Sequence, residues 1–241
     1  PVAIKIFSPD RYEDERAYDD AMQRIADVAA HVAQIQHDNL LDVHNFVDRD
    51  RIRMMVMEWV DGFDLDKLLV ADRLARVEPR VSQRRWEYIN RVIVTAGPAH
   101  PRFKAGVAMA VMRGCLGALA ALHREGIVHG DIKPSNVMLK RTGTAKIVDI
   151  GSAFALAAPP PSFMCTPHYA APEVLENSEC TPRSDLASLG YVFIEMLAGQ
   201  SPFANCNPKN LRELLEFKRS LPHRLHYILP DEVTVNELLM N

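Results

Sequence analysis

The chain has 241 residues, 48% hydrophobic and 24% charged, with 28 Lys and Arg against 31 Asp and Glu for a formal net charge of −3. This is a globular rather than a disordered composition, and the near-neutral charge excludes the electrostatic footprint of a dedicated nucleic-acid binder. The four cysteines, Cys115, Cys165, Cys180 and Cys206, stand far apart with no C-x-x-C pair, which argues against a zinc site or a disulfide framework and suits a reducing compartment.

Residues 2–7 are apolar and partly β-branched, the pattern of a strand. Tyr12 to Ile35 lacks Gly and Pro, is rich in Ala, and sets Ile25, Val28, Val32 and Ile35 at three- and four-residue spacing, which predicts an amphipathic helix. A second strand is predicted over 52–60 and is ended by Asp61-Gly62. Helical patterns then dominate, over Phe103 to His123, Ser184 to Leu197 and Asn210 to Phe217. Between them, residues 70–102, with Arg84, Arg85, Arg91, Pro98 and Pro101, read as an insertion or mobile connector. The run Ala158-Pro159-Pro160-Pro161 reads as an exposed loop. The most apolar stretch, Ala105 to Leu122, is cut by Arg113 and contains Gly114 and Gly117, so no bilayer-spanning segment is expected. The start at Pro1, with neither initiator Met nor signal peptide, reads as the interior of a longer protein.

The densest chemical signal is the run Ile127 to Leu139, in which Asp131, Lys133 and Asn136 fall within six positions; Lys146-Ile147-Val148-Asp149-Ile150-Gly151 follows. Flanking strands would hold Asp149 beside Asn136 at the mouth of a loop. Asp and Asn offer hard oxygen ligands that suit Mg²⁺ bridging phosphates, while a carboxylate on the intervening loop can orient a hydroxyl nucleophile. That is phosphoryl-transfer chemistry. Each residue has a blander explanation: Lys5 as a solvated edge charge, Asp131 and Asn136 as turn residues, Pro172-Glu173 and Asp185 as helix starts. These explain the residues singly but not their order. His129 is expected to pack under the loop, and Met54 and Met55 in the core.

Together with Val2-Ala3-Ile4-Lys5, Thr166 to Glu173 and Ser184 to Gly190, these motifs make the sequence resemble the protein kinase family, and within it the serine/threonine kinases of bacterial type. The resemblance implies an α+β, two-lobed kinase-like fold with a small strand-rich N-lobe and a larger helical C-lobe. Residues 1–60 would be a partial N-lobe whose glycine-rich loop precedes Pro1. Residues 61–241 would be hinge and C-lobe, with an insertion at about 70–102 and the last part of the lobe beyond residue 241. The implied activity is phosphorylation of protein serine or threonine with ATP and Mg²⁺. Lys5 would contact the α- and β-phosphates, Asp131 would accept or orient the hydroxyl proton, Lys133 would stabilise the transferring phosphoryl, and Asn136 and Asp149 would bind Mg²⁺. Met57 matches the gatekeeper, Glu58 and Val60 would offer backbone groups to adenine, Asp64 would reach the ribose, and Ala3 and Met138 would enclose the base. Asp185 would brace the loop backbone. The implied partners are protein substrates with Ser or Thr acceptors, not nucleic acid, with room for a regulatory partner or a dimer. The implied location is the cytoplasm, or the cytoplasmic part of a larger membrane-anchored protein.

Departures from the family pattern carry their own expectations. Gly130 stands where an arginine commonly precedes the aspartate, so activity should not depend on a phosphate clamped to this loop, and Thr166 should bond Asp131 and Lys133. Ile150 stands in place of phenylalanine and can still fill an apolar slot. The arginine that usually pairs with the glutamate matching Glu173 does not occur in the sequence. Counting back from His37, the helix position that usually pairs with the lysine holds Val28, with Asp27 beside it. Lys5 is therefore expected without a helix-borne carboxylate and near Asp149. Two other readings remain. One is a small-molecule phosphotransferase similar to aminoglycoside and choline kinases, which also show His-Gly-Asp; Lys133, Pro172-Glu173 and the 184–190 element count against it. The other is a pseudokinase scaffold, which Val28 favours and the retained Lys5, Asp131, Asn136 and Asp149 oppose.

Overall fold

The computed structural model describes residues 1–49, 52–97, 100–177 and 179–234. Strand β1 (Val2–Phe7) leads into helix α1 (Glu15–Val32). The helix begins later than residue 12 because Asp14 caps it, its side chain accepting the Ala17 N–H at 2.7 Å. Its apolar face buries Tyr18, Met22, Ile25, Val28, Ala29 and Val32. Strands β2 (Val43–Arg49) and β3 (Ile52–Glu58) complete an antiparallel sheet of order β1-β3-β2, in which Ala3 faces Met57 and Lys5 faces Met55. Because strand residues alternate, Lys5 shares the inner face with Ala3 and buried Phe7, while Val2, Ile4 and Ile6 are exposed.

Strand β4 (Gly62–Asp64) and helix α2 (Leu65–Leu69) follow. The 70–102 segment is not a loose connector. It forms α3 (Ala71–Ala75), a 3₁₀ turn at Glu78–Arg80, α4 (Gln83–Tyr88), a π-helical turn at Ile89–Ile93, and an antiparallel pair of β5 (Val94–Thr95) and β6 (Arg102–Phe103). Leu74, Val77, Ile89, Ile93 and Val94 are buried in the main core, so a minority of apolar side chains pins the segment while its arginines mostly face water. Pro98, part of the sequence-based expectation, lies outside the described residues.

Helix α5 (Ala105–Arg124) is followed by β7 (Ile127–Val128), β8 (Val137–Lys140), β9 (Ala145–Ile147) and β10 (Phe154–Ala155), then α6 (Pro172–Leu175), α7 (Pro182–Ala198), α8 (Leu211–Ile228) and α9 (Asp231–Thr234). The small sheets have orders β4-β8-β9 and β10-β7. By length and composition alone α5 would be apolar enough to cross a bilayer, a test that core helices also pass. In this fold it packs on β9 and α7, with Ala108, Val111, Cys115, Ala118, Leu119 and Leu122 buried. Gly114 permits a close approach to Asn39: a Cβ there would lie 2.7 Å from Asn39 Nδ2, which donates to the Ala145 carbonyl at 2.7 Å. That contact ties the turn after α1 to β9. Helix α8 runs beyond the predicted end at Phe217 and through Pro222. The ring removes one intrahelical bond, and the apolar face of Leu214 and Leu221 holds the helix in place.

Candidate active site

Strands β7 and β8 bracket the loop 129–136, and the start of α7 supports it from below. Asp185, 1% exposed, accepts the backbone N–H groups of His129 and Gly130 at 2.9 Å each, and its Oδ2 lies 2.9 Å from His123 Nε2. His129 is fully buried. Its Nδ1 accepts the Asp131 N–H at 3.3 Å, so Nε2 carries the ring proton and donates to the Val148 carbonyl at 3.2 Å. Both residues therefore hold the loop, as expected. Gly130 has φ +76°, and a Cβ there would lie 3.0 Å from the Ser152 carbonyl oxygen. Glycine is the residue that this backbone accepts without strain.

The loop delivers Asp131, Lys133 and Asn136 to one point. Lys133 Nζ donates to Asp131 Oδ2 at 2.5 Å, and Asn136 Nδ2 donates to the Asp131 main-chain oxygen at 2.8 Å and to Oδ2 at 3.2 Å. The Thr166 hydroxyl donates to Asp131 Oδ1 at 2.8 Å and accepts from Lys133 Nζ at 3.0 Å. Further along the chain, Ser184 Oγ donates to Glu173 at 2.8 Å.

Asp149 follows β9 with φ +65° and forms a direct ion pair with Lys5. Burial pushes its carboxyl up, but the adjacent Lys5 ammonium and the Gly151 N–H at 3.0 Å outweigh this and hold it below the ordinary value. Gly151 lets the lysine in: a Cβ there would lie 2.5 Å from Lys5 Nζ. Val28 is 3% exposed in the core, and Asp27 is exposed and accepts from Gln23 Nε2 at 2.9 Å. Ile150, 1% exposed, fills its apolar slot.

Among the residues assigned to the nucleotide, Met57 and Val60 are buried, and Ala3 and Met138 pack at the margin of the main core. Asp64 has both carboxylate oxygens engaged, one by the Lys67 N–H at 2.9 Å and the other by Lys67 Nζ at 2.5 Å. In this structure it caps α2. The Glu58 carboxylate accepts Lys146 Nζ and the Asp42 N–H, the latter at 2.9 Å, so its side chain joins β3 to β9. Lys146, 3% exposed, was missed in the sequence. Its signal was a cation inside the apolar run Ala145-Lys146-Ile147-Val148.

A divalent cation fits the donor set. Asn136 spends Nδ2 on Asp131, and Asp149 spends Oδ1 on Lys5 and Gly151, which leaves Asn136 Oδ1 and Asp149 Oδ2 with no hydrogen bond among the described residues. Among the described residues no group of three or more His, Cys, Asp or Glu is poised for a metal. One carboxylate and one carboxamide suit an ion that keeps water and phosphate oxygens as its other ligands.

A sequence profile described as the protein kinase domain matches residues 1–234. The serine/threonine-protein kinase PrkC of Bacillus subtilis is 29% identical over 206 residues, covering 84% of this chain and 27% of PrkC. PknL of Mycobacterium tuberculosis, also named a serine/threonine-protein kinase, is 30% identical over 207 residues, covering 84% of this chain and 44% of PknL. A probable serine/threonine-protein kinase PknB of Lactococcus lactis is 28% identical over 225 residues, covering 92% and 31% of the two chains. The chain thus spans less than half the length of these curated relatives.

Proposed function

Since this chain belongs to the protein kinase family, we propose that it transfers the γ-phosphoryl group of ATP to serine or threonine hydroxyls of proteins. The observation that carries this reading is the Thr166 hydroxyl seated on Asp131 at 2.8 Å with Lys133 bridging both. The Asp131 carboxylate can hold a hydroxyl donor, and an ammonium stands beside that oxygen. An acceptor hydroxyl in an equivalent place would attack phosphorus as the bond to the leaving diphosphate breaks, and its proton would pass to Asp131. Lys133 would offset the negative charge of the transferring group, and Asn136 would keep Asp131 oriented. Asn136 Oδ1 and Asp149 Oδ2 would hold Mg²⁺, which when bound neutralises phosphate charge.

Lys5 would exchange Asp149 for the α- and β-phosphates, and this exchange is where a regulatory partner or second copy would act. Ala3, Met57, Met138 and the backbone of Glu58 and Val60 would enclose adenine. Asp64 would reach the ribose after releasing Lys67. In this reading residues 1–60 form the N-lobe portion and residues 61–241 the hinge and C-lobe, working in the cytoplasm or on its side of a membrane. The test is transfer of label from [γ-³²P]ATP by the full-length protein to itself and to a generic basic protein, beside an Asp131→Asn control. Label on serine or threonine well above the control is expected. Label equal to the control sinks the enzyme reading, and label on tyrosine alone sinks the acceptor class.

A further inference from the structure

Lys218 is a buried cation to which phosphoryl transfer as described gives no task. It lies on α8, 3% exposed, between Leu214 and Leu221 on the helix face that packs against α7 and the segment before it. Its Nζ donates to the His168 carbonyl at 2.8 Å and sits 4.1 and 4.0 Å from the ring centroids of Tyr191 and Phe203. No carboxylate pairs with it among the described residues. Desolvation pulls its pKa down to about 7, yet ammonium and amine alike retain an N–H to donate. A methionine or leucine would fill this slot at lower desolvation cost, so packing alone does not account for a lysine here.

The carbonyl that it holds belongs to a single turn whose other end is in the active site. The Tyr169 and Ala170 N–H groups both donate to the Thr166 carbonyl, at 2.8 and 2.9 Å. The Thr166 side chain is the hydroxyl bonded to Asp131 and Lys133. His168 is held a second time through its ring, whose Nε2 lies 3.2 Å from the Cys206 carbonyl oxygen. We propose that Lys218 is a positioning residue for the protein acceptor: by tethering the His168 carbonyl it fixes the 166–169 turn against the C-lobe floor, and so fixes where an acceptor hydroxyl meets Asp131. It acts on the acceptor and not on the nucleotide, whose residues lie on other elements. This inference rests on the phosphotransfer reading above.

The experiment compares full-length wild type, Lys218→Met and Lys218→Arg in acceptor KM, ATP KM, kcat and thermal midpoint, with hydrogen exchange at the amides of residues 169 and 170. Methionine keeps the apolar fill and removes the donor, and arginine restores a donor. Expected for Lys218→Met are an unchanged or higher midpoint, ATP KM within about twofold, acceptor KM raised about tenfold, and faster exchange at 169 and 170, with Lys218→Arg recovering most of the loss. An unchanged acceptor KM in the folded methionine variant overturns the proposal, as does a parallel loss in every parameter together with the midpoint. If wild type labels no acceptor above the Asp131→Asn control, the phosphotransfer reading fails. Unchanged exchange at 169 and 170 then shows separately that no tether exists.

Discussion

Lys5 is paired with Asp149 across the gap between β1 and the loop after β9, not with a carboxylate of α1. The side chains are about one-third exposed, at 33% and 39%, so water and phosphate oxygens can compete for the ammonium. Asp27 takes no part in the pair. Asp27→Ala should leave phosphotransfer within about twofold, whereas Lys5→Met and Asp149→Asn should each lower kcat/KM at least about 100-fold, the scale of losing a transition-state charge contact. A loss with Asp27→Ala equal to that with Lys5→Met would show that α1 supplies the partner after all.

Thr166 bridges Asp131 and Lys133 with one hydroxyl, so its chemistry and its shape can be separated. Thr166→Val keeps the shape and leaves both charged groups short of a partner, at roughly 1–3 kcal/mol. A drop in kcat of about tenfold or more is expected, with Thr166→Ser close to wild type. Equal activity of the serine and valine variants would show that the bridge is incidental.

Gly130 accounts for a missing guanidinium. Any side chain there meets a left-handed backbone and the Ser152 carbonyl at 3.0 Å, so Gly130→Ala should cost about 1–2 kcal/mol in urea denaturation. With no arginine at this position to grip a phosphate, phosphatase-treated protein should retain its activity. Loss of activity on phosphatase treatment, restored by an acidic residue in place of Ser162, would contradict this.

Glu195 lies buried on α7 and accepts the Tyr169 hydroxyl at 2.7 Å. Burial raises its carboxyl to about 7, against a smaller opposite effect of the tyrosine bond. Between roughly pH 4.5 and 7 the folded chain keeps a proton that the unfolded chain has lost, so stability from this group falls as pH rises through that window. Glu195→Gln cannot ionise and keeps an acceptor for Tyr169. It should therefore gain on wild type, by up to about 3 kcal/mol across the window, as read from urea midpoints at both ends. Parallel pH profiles for the two proteins would refute this. Lys218 acts in the opposite sense above pH 7, where the unfolded chain holds the extra proton and stability rises with pH.

What the sequence disclosed followed from periodicity and from the order of motifs. The order of the motifs put Asp131, Lys133 and Asn136 within six positions, and the loop brings them to one point. The alternation that sets Lys5 on the inner face with Ala3 and Phe7 emerged only with the burial of β1. The 70–102 segment looks like a connector in the sequence because its arginines outnumber the buried side chains that pin it, Leu74, Val77, Ile89, Ile93 and Val94. The position of Asp64 one residue before α2 marks it as a cap as well as a candidate ribose contact, a second role that only the fold makes visible. Lys218 went unnoticed because lysine is usually a surface residue. Its place at the fourth position between Leu214 and Leu221 on a helical face was the available clue.

Helix α5 is long and apolar, and it packs against elements made after it. As the chain leaves the ribosome, Arg124 emerges well before Pro182, where α7 begins. At translation rates of about 5–20 residues per second the interval is on the order of 3 to 12 s. Throughout that time the nascent polypeptide displays a segment that targeting machinery and chaperones are built to recognise. Synthesis halted between these two helices should yield a chaperone-bound or membrane-associated fragment. The speed with which α7 arrives thus sets how long this helix goes without its native cover.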